Sequence, residues 1–169
     1  IAAGQLDENA EVVIRPQTAA RWAGQGTSLY LKPGQKVRVG DLLLAVTTVS
    51  ANDASVALAE AALGSTAAWT ARMNQRAASL NMRGSAFHTP NGWPDGGKTY
   101  VTARDMVRLA QALIHGHPQL YRRYFGRPAM DWQGQRFPNH DPFAGVVAGA
   151  RLAAQSLVAR EPGRDYVDT

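Results

Sequence analysis

The chain has no cysteine, which excludes disulfides and thiolate metal sites. Lysine is nearly as scarce. Only Lys32, Lys36 and Lys98 occur among the 18 basic residues that give the 169-residue chain a formal net charge of +5. No stretch approaches the roughly 20 apolar residues that a membrane span requires. An N-terminal basic patch followed by an apolar run is also lacking: residues 1–10 are small, acidic and polar, without an initiator Met, so removal of the true start by processing or truncation is expected. The arginines are dispersed singly apart from Arg122 and Arg123, with no stripe interleaved with stacking aromatics, and this argues against nucleic acid as a partner. His88, His115, His117 and His140 show no metal-ligand spacing, so no metal site is expected, and no organic cofactor is implied.

What is present is globular in composition, with 45% hydrophobic and 18% charged residues. The segment EVVIR at residues 11–15 and the alternation of Leu29 and Leu31 within residues 28–32 read as strands or extended segments, with Pro33-Gly34 as a turn. Asp41 is placed to cap a helix ending near Ser50, and Asn52 or Asp53 to cap a second that stops at Gly64. A third helix starts at Ser65. Residues 84–100, rich in Gly, Pro and Asn, form a long loop; Thr102 and Asp105 then resemble a capping box opening a helix that stops at His115-Gly116. A short aromatic helix over 118–125 and a strand over 129–132 follow. The Ala-rich stretch 146–160 reads as helical and 161–169 as a polar tail. About five helices against two to four short strands define an α-heavy α+β domain.

The segment from Val49 through Ser50, Ala51, Asn52 and Asp53 to Glu60 resembles the second active-site motif of D-alanyl-D-alanine carboxypeptidases, the low-molecular-mass penicillin-binding proteins. That motif is usually Ser-Gly-Asn followed by Asp-Ala and an Ala-rich helix. Upstream, residues 26–34 (GTSLYLKPG) look like the family's approach to the motif. Downstream, residues 87–95 (FHTPNGWPD) and 100–106 (YVTARDM) look like its loop and following helix. The similarity runs over residues 12–142 with the segments in family order.

The resemblance implies a β-lactamase-like fold represented mainly by its helical lobe: residues 1–145 as a partial carboxypeptidase domain, and 146–169 as a diverged helix and tail. It also implies serine-type hydrolysis of peptidoglycan stem peptides through an acyl-enzyme, in a periplasmic or extracytoplasmic location. Partners would be a stem peptide or β-lactam, with membrane association only through segments outside this chain and self-association of the exposed lobe. Ser50 carries over as a proton-relaying hydroxyl and Asn52 as a substrate-orienting amide, the competing reading being that Asn52 simply caps a helix. Ala51 stands where Gly is usual, a change that matters only if that position needs positive φ. Asp53 and Glu60 are expected to be surface charges.

Two of the family's three motifs are not found. The nucleophile motif, Ser-Xaa-Xaa-Lys, places a base one helical turn after the serine. Three residues before Lys32, Lys36 and Lys98 stand Leu29, Pro33 and Asp95, and none is serine. The third motif, Lys-Thr-Gly, is approached only by Lys98-Thr99-Tyr100, which falls in the long loop. In the family the nucleophile motif precedes the region where this chain begins, so an N-terminal truncation that removes it is the economical expectation. The alternative is a non-catalytic penicillin-binding-like module that binds cell-wall peptide or a protein partner.

Overall fold

A computed structural model describes residues 6–141; the Ala-rich stretch and tail expected beyond residue 145 lie outside them. In chain order the described elements are β1 (Glu11–Val13), α1 (Pro16–Trp22), β2 (Lys36–Arg38), α2 (Val39–Val49), α3 (Asn52–Leu63), α4 (Thr66–Ser79), α5 (Ala103–Gly116), α6 (Pro118–Phe125), β3 (Ala129–Trp132) and β4 (Gln135–Pro138). Helices dominate, and the strands form two separate antiparallel ribbons, β1 with β2 and β3 with β4.

The centre is α3. Every residue from Asp53 to Ala59 is buried, because α1, α2, α4 and β1 all pack around it. Ala54, Ala57 and Ala59 at the contacts are 2% exposed or less, and such small side chains let neighbouring helix axes come close. In α2 the buried Val39, Leu42, Ala45 and Val49 recur at helical spacing and give one apolar stripe. That stripe joins Ile14, Leu29, Leu31, Val37, Leu58 and Met130 in one core.

The ribbons clamp this core from two sides. In the first, Val12 pairs with Val37, holding β1 against the start of α2. In the second, Trp132 pairs with Gln135 across a two-residue loop. Gln133 and Gly134 in that loop have φ of 49° and 78°, the left-handed pair that a tight hairpin with native twist demands. Glu8, ahead of β1, accepts hydrogen bonds from Arg123 and Tyr124 and so ties the start of the described chain to α6. Burial, with the Glu8 carboxylate close by, pushes the Tyr124 phenol up to about 12.

Three local expectations need correction. Asp41 does not cap α2: the helix opens two residues earlier, and Asp41 sits in its first turn with its carboxylate on Arg38 at 2.9 and 3.0 Å. Residues 28–32 form no strand. Leu29 and Leu31 are buried, but their amides point to a side chain of α3 instead of a neighbouring strand. Helix α1 was not anticipated, although Pro16 at its first turn is a recognised helix start.

The box at the start of α5 is only half made. The Thr102 hydroxyl accepts from the Asp105 amide at 3.2 Å. The Asp105 carboxylate turns instead to the Gly84 amide, the Ser85 hydroxyl and Arg108, at 2.8, 2.8 and 2.7 Å, which pins the start of the segment between α4 and α5 to α5. Burial alone would push this carboxyl up, but the bonds from Ser85, Gly84 and Arg108 more than offset it and hold the group below its ordinary value. A depressed carboxyl contributes stability that is fully present above its unfolded pKa of about 3.9 and is lost as pH falls through the folded value. The melting temperature is therefore expected to drop on acidification below about pH 4. Asp105→Asn should start lower at pH 7 and lose less over the same interval; an identical pH slope in both proteins would remove Asp105 from the account.

Candidate active site

The turn between α2 and α3 brings the two candidate residues together. Ser50 ends α2 in the left-handed conformation, φ 56° and ψ 40°, with its amide closing on the Ala45 carbonyl. A non-glycine residue is held there about 1–2 kcal/mol above its relaxed state, so packing on both sides must impose the turn. The result is an exposed serine whose hydroxyl makes no hydrogen bond to any described residue.

Ala51 follows with φ −67° and ψ 114°, an ordinary extended conformation, and is 1% exposed. Glycine is not required at this position, and the methyl group packs into the core.

Asn52 is not the cap of α3. Ala51 occupies the N-cap position, and no side chain caps the helix there. The Asn52 side chain instead bridges two other segments. Its Nδ2 donates to the Thr27 carbonyl at 3.0 Å, the oxygen that also takes the Asn52 backbone amide at 2.9 Å. Its Oδ1 accepts from Asn91 Nδ2 at 2.8 Å.

Loop 87–99 is seated on this turn at several points. The Ser55 hydroxyl of α3 donates to the Pro90 carbonyl at 2.8 Å. Trp93 meets Trp22 of α1 edge to face, with ring centroids 5.1 Å apart. Asp95 accepts from the Thr99 amide and, at 2.7 Å, from the Thr99 hydroxyl, which closes the loop on itself. These bonds, the amide's foremost, hold the Asp95 carboxyl below its ordinary value. Lys98-Thr99-Tyr100 is thus part of a loop lock, and Tyr100 makes only an isolated bridge with Ala86.

Gly26 supplies the space. Its φ is +56°, and a Cβ added there would lie 2.8 Å from Asn52 Nδ2 and 2.9 Å from the Trp93 ring. Gly26→Ala should therefore lower stability by about 2 kcal/mol or more, from left-handed strain plus the clash. It should also weaken the near-ultraviolet circular dichroism of the Trp22–Trp93 pair. An unchanged denaturation midpoint and spectrum would show that the site does not depend on close approach at Gly26.

Asp53 is a correction to the surface-charge reading. It is 1% exposed and accepts from the amides of Leu29 and Leu31, each at 3.0 Å, and from its own neighbour Ala54 at 2.8 Å. Tyr30, between the two leucines, is left-handed at φ 57°, which turns both amides toward one carboxylate. Glu60 lies elsewhere, accepting from the Thr18 hydroxyl at 2.7 Å. Among the described residues no group of three or more His, Asp or Glu is placed to hold a metal ion.

Residues 1–141 match the family of D-alanyl-D-alanine carboxypeptidases, peptidase family S11. The chain belongs to this family. D-alanyl-D-alanine carboxypeptidase DacA of Escherichia coli (strain K12) is 40% identical over 101 residues, which are 59% of this chain and 25% of that protein. The corresponding figures for DacD of Salmonella typhimurium are 36% over 110 residues, 64% and 28%. Among solved structures, penicillin binding protein 5 of Haemophilus influenzae superposes with a TM-score of 0.78 at 27% identity, covering 84% of this chain and 41% of that one. The carboxypeptidase DacD of Francisella tularensis gives 0.72 at 33% identity, covering 89% and 34%. The chain thus spans about a quarter of the length of these curated relatives. The fold of this carboxypeptidase-family chain is the β-lactamase-like α+β fold, represented mainly by its helical lobe.

Proposed function

We propose that this chain supplies the Ser-Xaa-Asn wall of the cleft in a serine D-alanyl-D-alanine carboxypeptidase acting on peptidoglycan stem peptides in the bacterial envelope. The observation that carries the reading is the α2–α3 turn. It presents an exposed serine hydroxyl with no hydrogen-bond partner among the described residues and, two residues later, an amide side chain that is fixed but not saturated by them.

In the complete cleft a serine from a Ser-Xaa-Xaa-Lys segment attacks the penultimate carbonyl carbon. The peptide bond breaks, D-alanine departs with a proton relayed through Ser50, and water then hydrolyses the ester. Asn52 has one N–H and one oxygen lone pair left over, a pattern complementary to a peptide group. β-Lactams would enter the same cleft; a structural relative, penicillin-binding protein D2 of Listeria monocytogenes, has been solved in ampicillin-bound form. The apolar residues left exposed on and beside α5, Val101, Met106 and Val107, would favour self-association of the isolated chain, which light scattering would detect.

The test joins this chain to segments that supply Ser-Xaa-Xaa-Lys and Lys-Thr-Gly, and follows acylation by a fluorescent penicillin. Ser50→Ala and Asn52→Ala should each slow acylation by about 10²–10³-fold while leaving the fold intact. Full rates in both variants would sink the assignment. The lysine positions favour a second reading, a non-catalytic module that binds cell-wall peptide or a protein partner; it predicts binding of a D-Ala-D-Ala peptide by the joined protein without turnover.

A further inference from the structure

The proposed role of Asn52 depends on which end of its side chain faces the cleft, and carboxamide nitrogen and oxygen are nearly the same size. Shape therefore cannot decide it. What decides it is the chemistry of the two neighbours. Thr27 offers a carbonyl, which can only accept, and Asn91 offers Nδ2, which can only donate. Rotating the Asn52 amide by half a turn would set nitrogen against nitrogen and oxygen against oxygen, losing both bonds in a part-buried setting.

We infer that Asn91 is a positioning residue: it fixes the orientation of the Asn52 amide and thereby the face shown to a bound peptide. Thr27 alone would leave the Asn52 oxygen free to swing, because one hydrogen bond at the nitrogen is a hinge and two are a clamp. Asn91 is itself held. The Pro90 carbonyl beside it is bonded to Ser55, its own Oδ1 faces the Trp93 amide at 3.4 Å, and Trp93 is braced on Trp22. The loop therefore positions the Asn91 amide from its own rigid seat, and Asn91 needs no contact with substrate. The inference rests on the reading of Asn52 as a peptide-binding amide, but the clamp can be tested without it.

The test uses the 169-residue chain and hydrogen exchange of the Asn52 side-chain amide by NMR. In the wild type one Nδ2 proton, the one given to Thr27, is expected to exchange slowly. Asn91→Ala, which leaves Oδ1 unheld, and Asn91→Asp, which sets a carboxylate against it, should each speed that exchange by tenfold or more. Backbone amides of α3 serve as the control for folding. Asn91→His, whose ring N–H can still donate, should restore protection. Unchanged protection in both Asn91→Ala and Asn91→Asp, with α3 amides also unchanged, would overturn the clamp. Failure of Asn91→His to restore it would do the same.

The peptide reading is probed separately by adding Nα-acetyl-D-Ala-D-Ala to the wild type. Shifts confined to Asn52 and its neighbours support that reading, and their absence counts against it while the clamp is judged on exchange alone.

Discussion

Incubated with a fluorescent penicillin, the 169-residue chain is expected to yield no labelled band that survives denaturing electrophoresis. Acylation needs an activated serine, and no serine here has a lysine one helical turn later. Most of the serine hydroxyls in the described structure are already committed. Ser28 donates to the Gln25 carbonyl, Ser55 to Pro90 and Ser79 to Arg76, acceptors that cannot serve as bases. Ser85 alone donates to an ionisable group, Asp105, and the hydrogen bonds that depress that carboxyl also make it a poorer base. Ser50 has an accessible hydroxyl but no base bonded to it among the described residues. Loss of the nucleophile or its base removes about 10⁴–10⁶-fold in rate in serine hydrolases, more than residual binding contacts restore. A covalent band that vanishes in Ser50→Ala would overturn this and make Ser50 a nucleophile. A band that remains in Ser50→Ala would place the nucleophile at another serine and overturn the expected result equally.

The same contrast between local and distant partners explains what could be read from the chain alone. Helices α2 to α6 were legible because their apolar spacing, Gly64 after α3, Ser65 ahead of α4 and Thr102 ahead of α5 are signals within one or two turns. The place of Ser50 and Asn52 in a turn between two helices was legible through the motif around them. Asn91 was not: its role depends on a partner 39 residues away, and in sequence it is one more polar residue in a Gly- and Pro-rich loop. Gly26 was equally silent, because its requirement comes from Asn52 and Trp93 crowding the same point. Residues 28–32 misled for a related reason. Their alternation reflects true burial of Leu29 and Leu31, but the amides are satisfied by a carboxylate that strand patterns do not foresee. Asp53 was the largest misreading, since an acidic residue in the first turn of a helix usually faces water and favours the helix dipole.

Asp53→Ala should destabilise the chain by about 3–5 kcal/mol, a large share of the roughly 5–15 kcal/mol that holds a domain together. The change removes the acceptor for three amides, that of Ala54 and those of Leu29 and Leu31, in a segment whose leucines are 2% and 5% exposed. Each orphaned buried donor costs about 1–3 kcal/mol, and the small cavity left by the side chain adds to it. Asp53→Asn should recover only part of the loss: its single oxygen satisfies one leucine amide, while its NH₂ faces the other. Asp41→Ala is the control, because the Arg38–Asp41 pair lies at the surface and such pairs contribute about 0–1 kcal/mol. Urea denaturation at pH 7 would rank the three variants, and hydrogen exchange at Leu29 and Leu31 would locate the damage. The loop carrying those leucines also carries Thr27, the acceptor for Asn52, so its release should free the Asn52 side chain as well. A loss under about 1 kcal/mol in Asp53→Ala, with both leucine amides still protected, would mean that the loop finds other partners and that Asp53 does not organise the site.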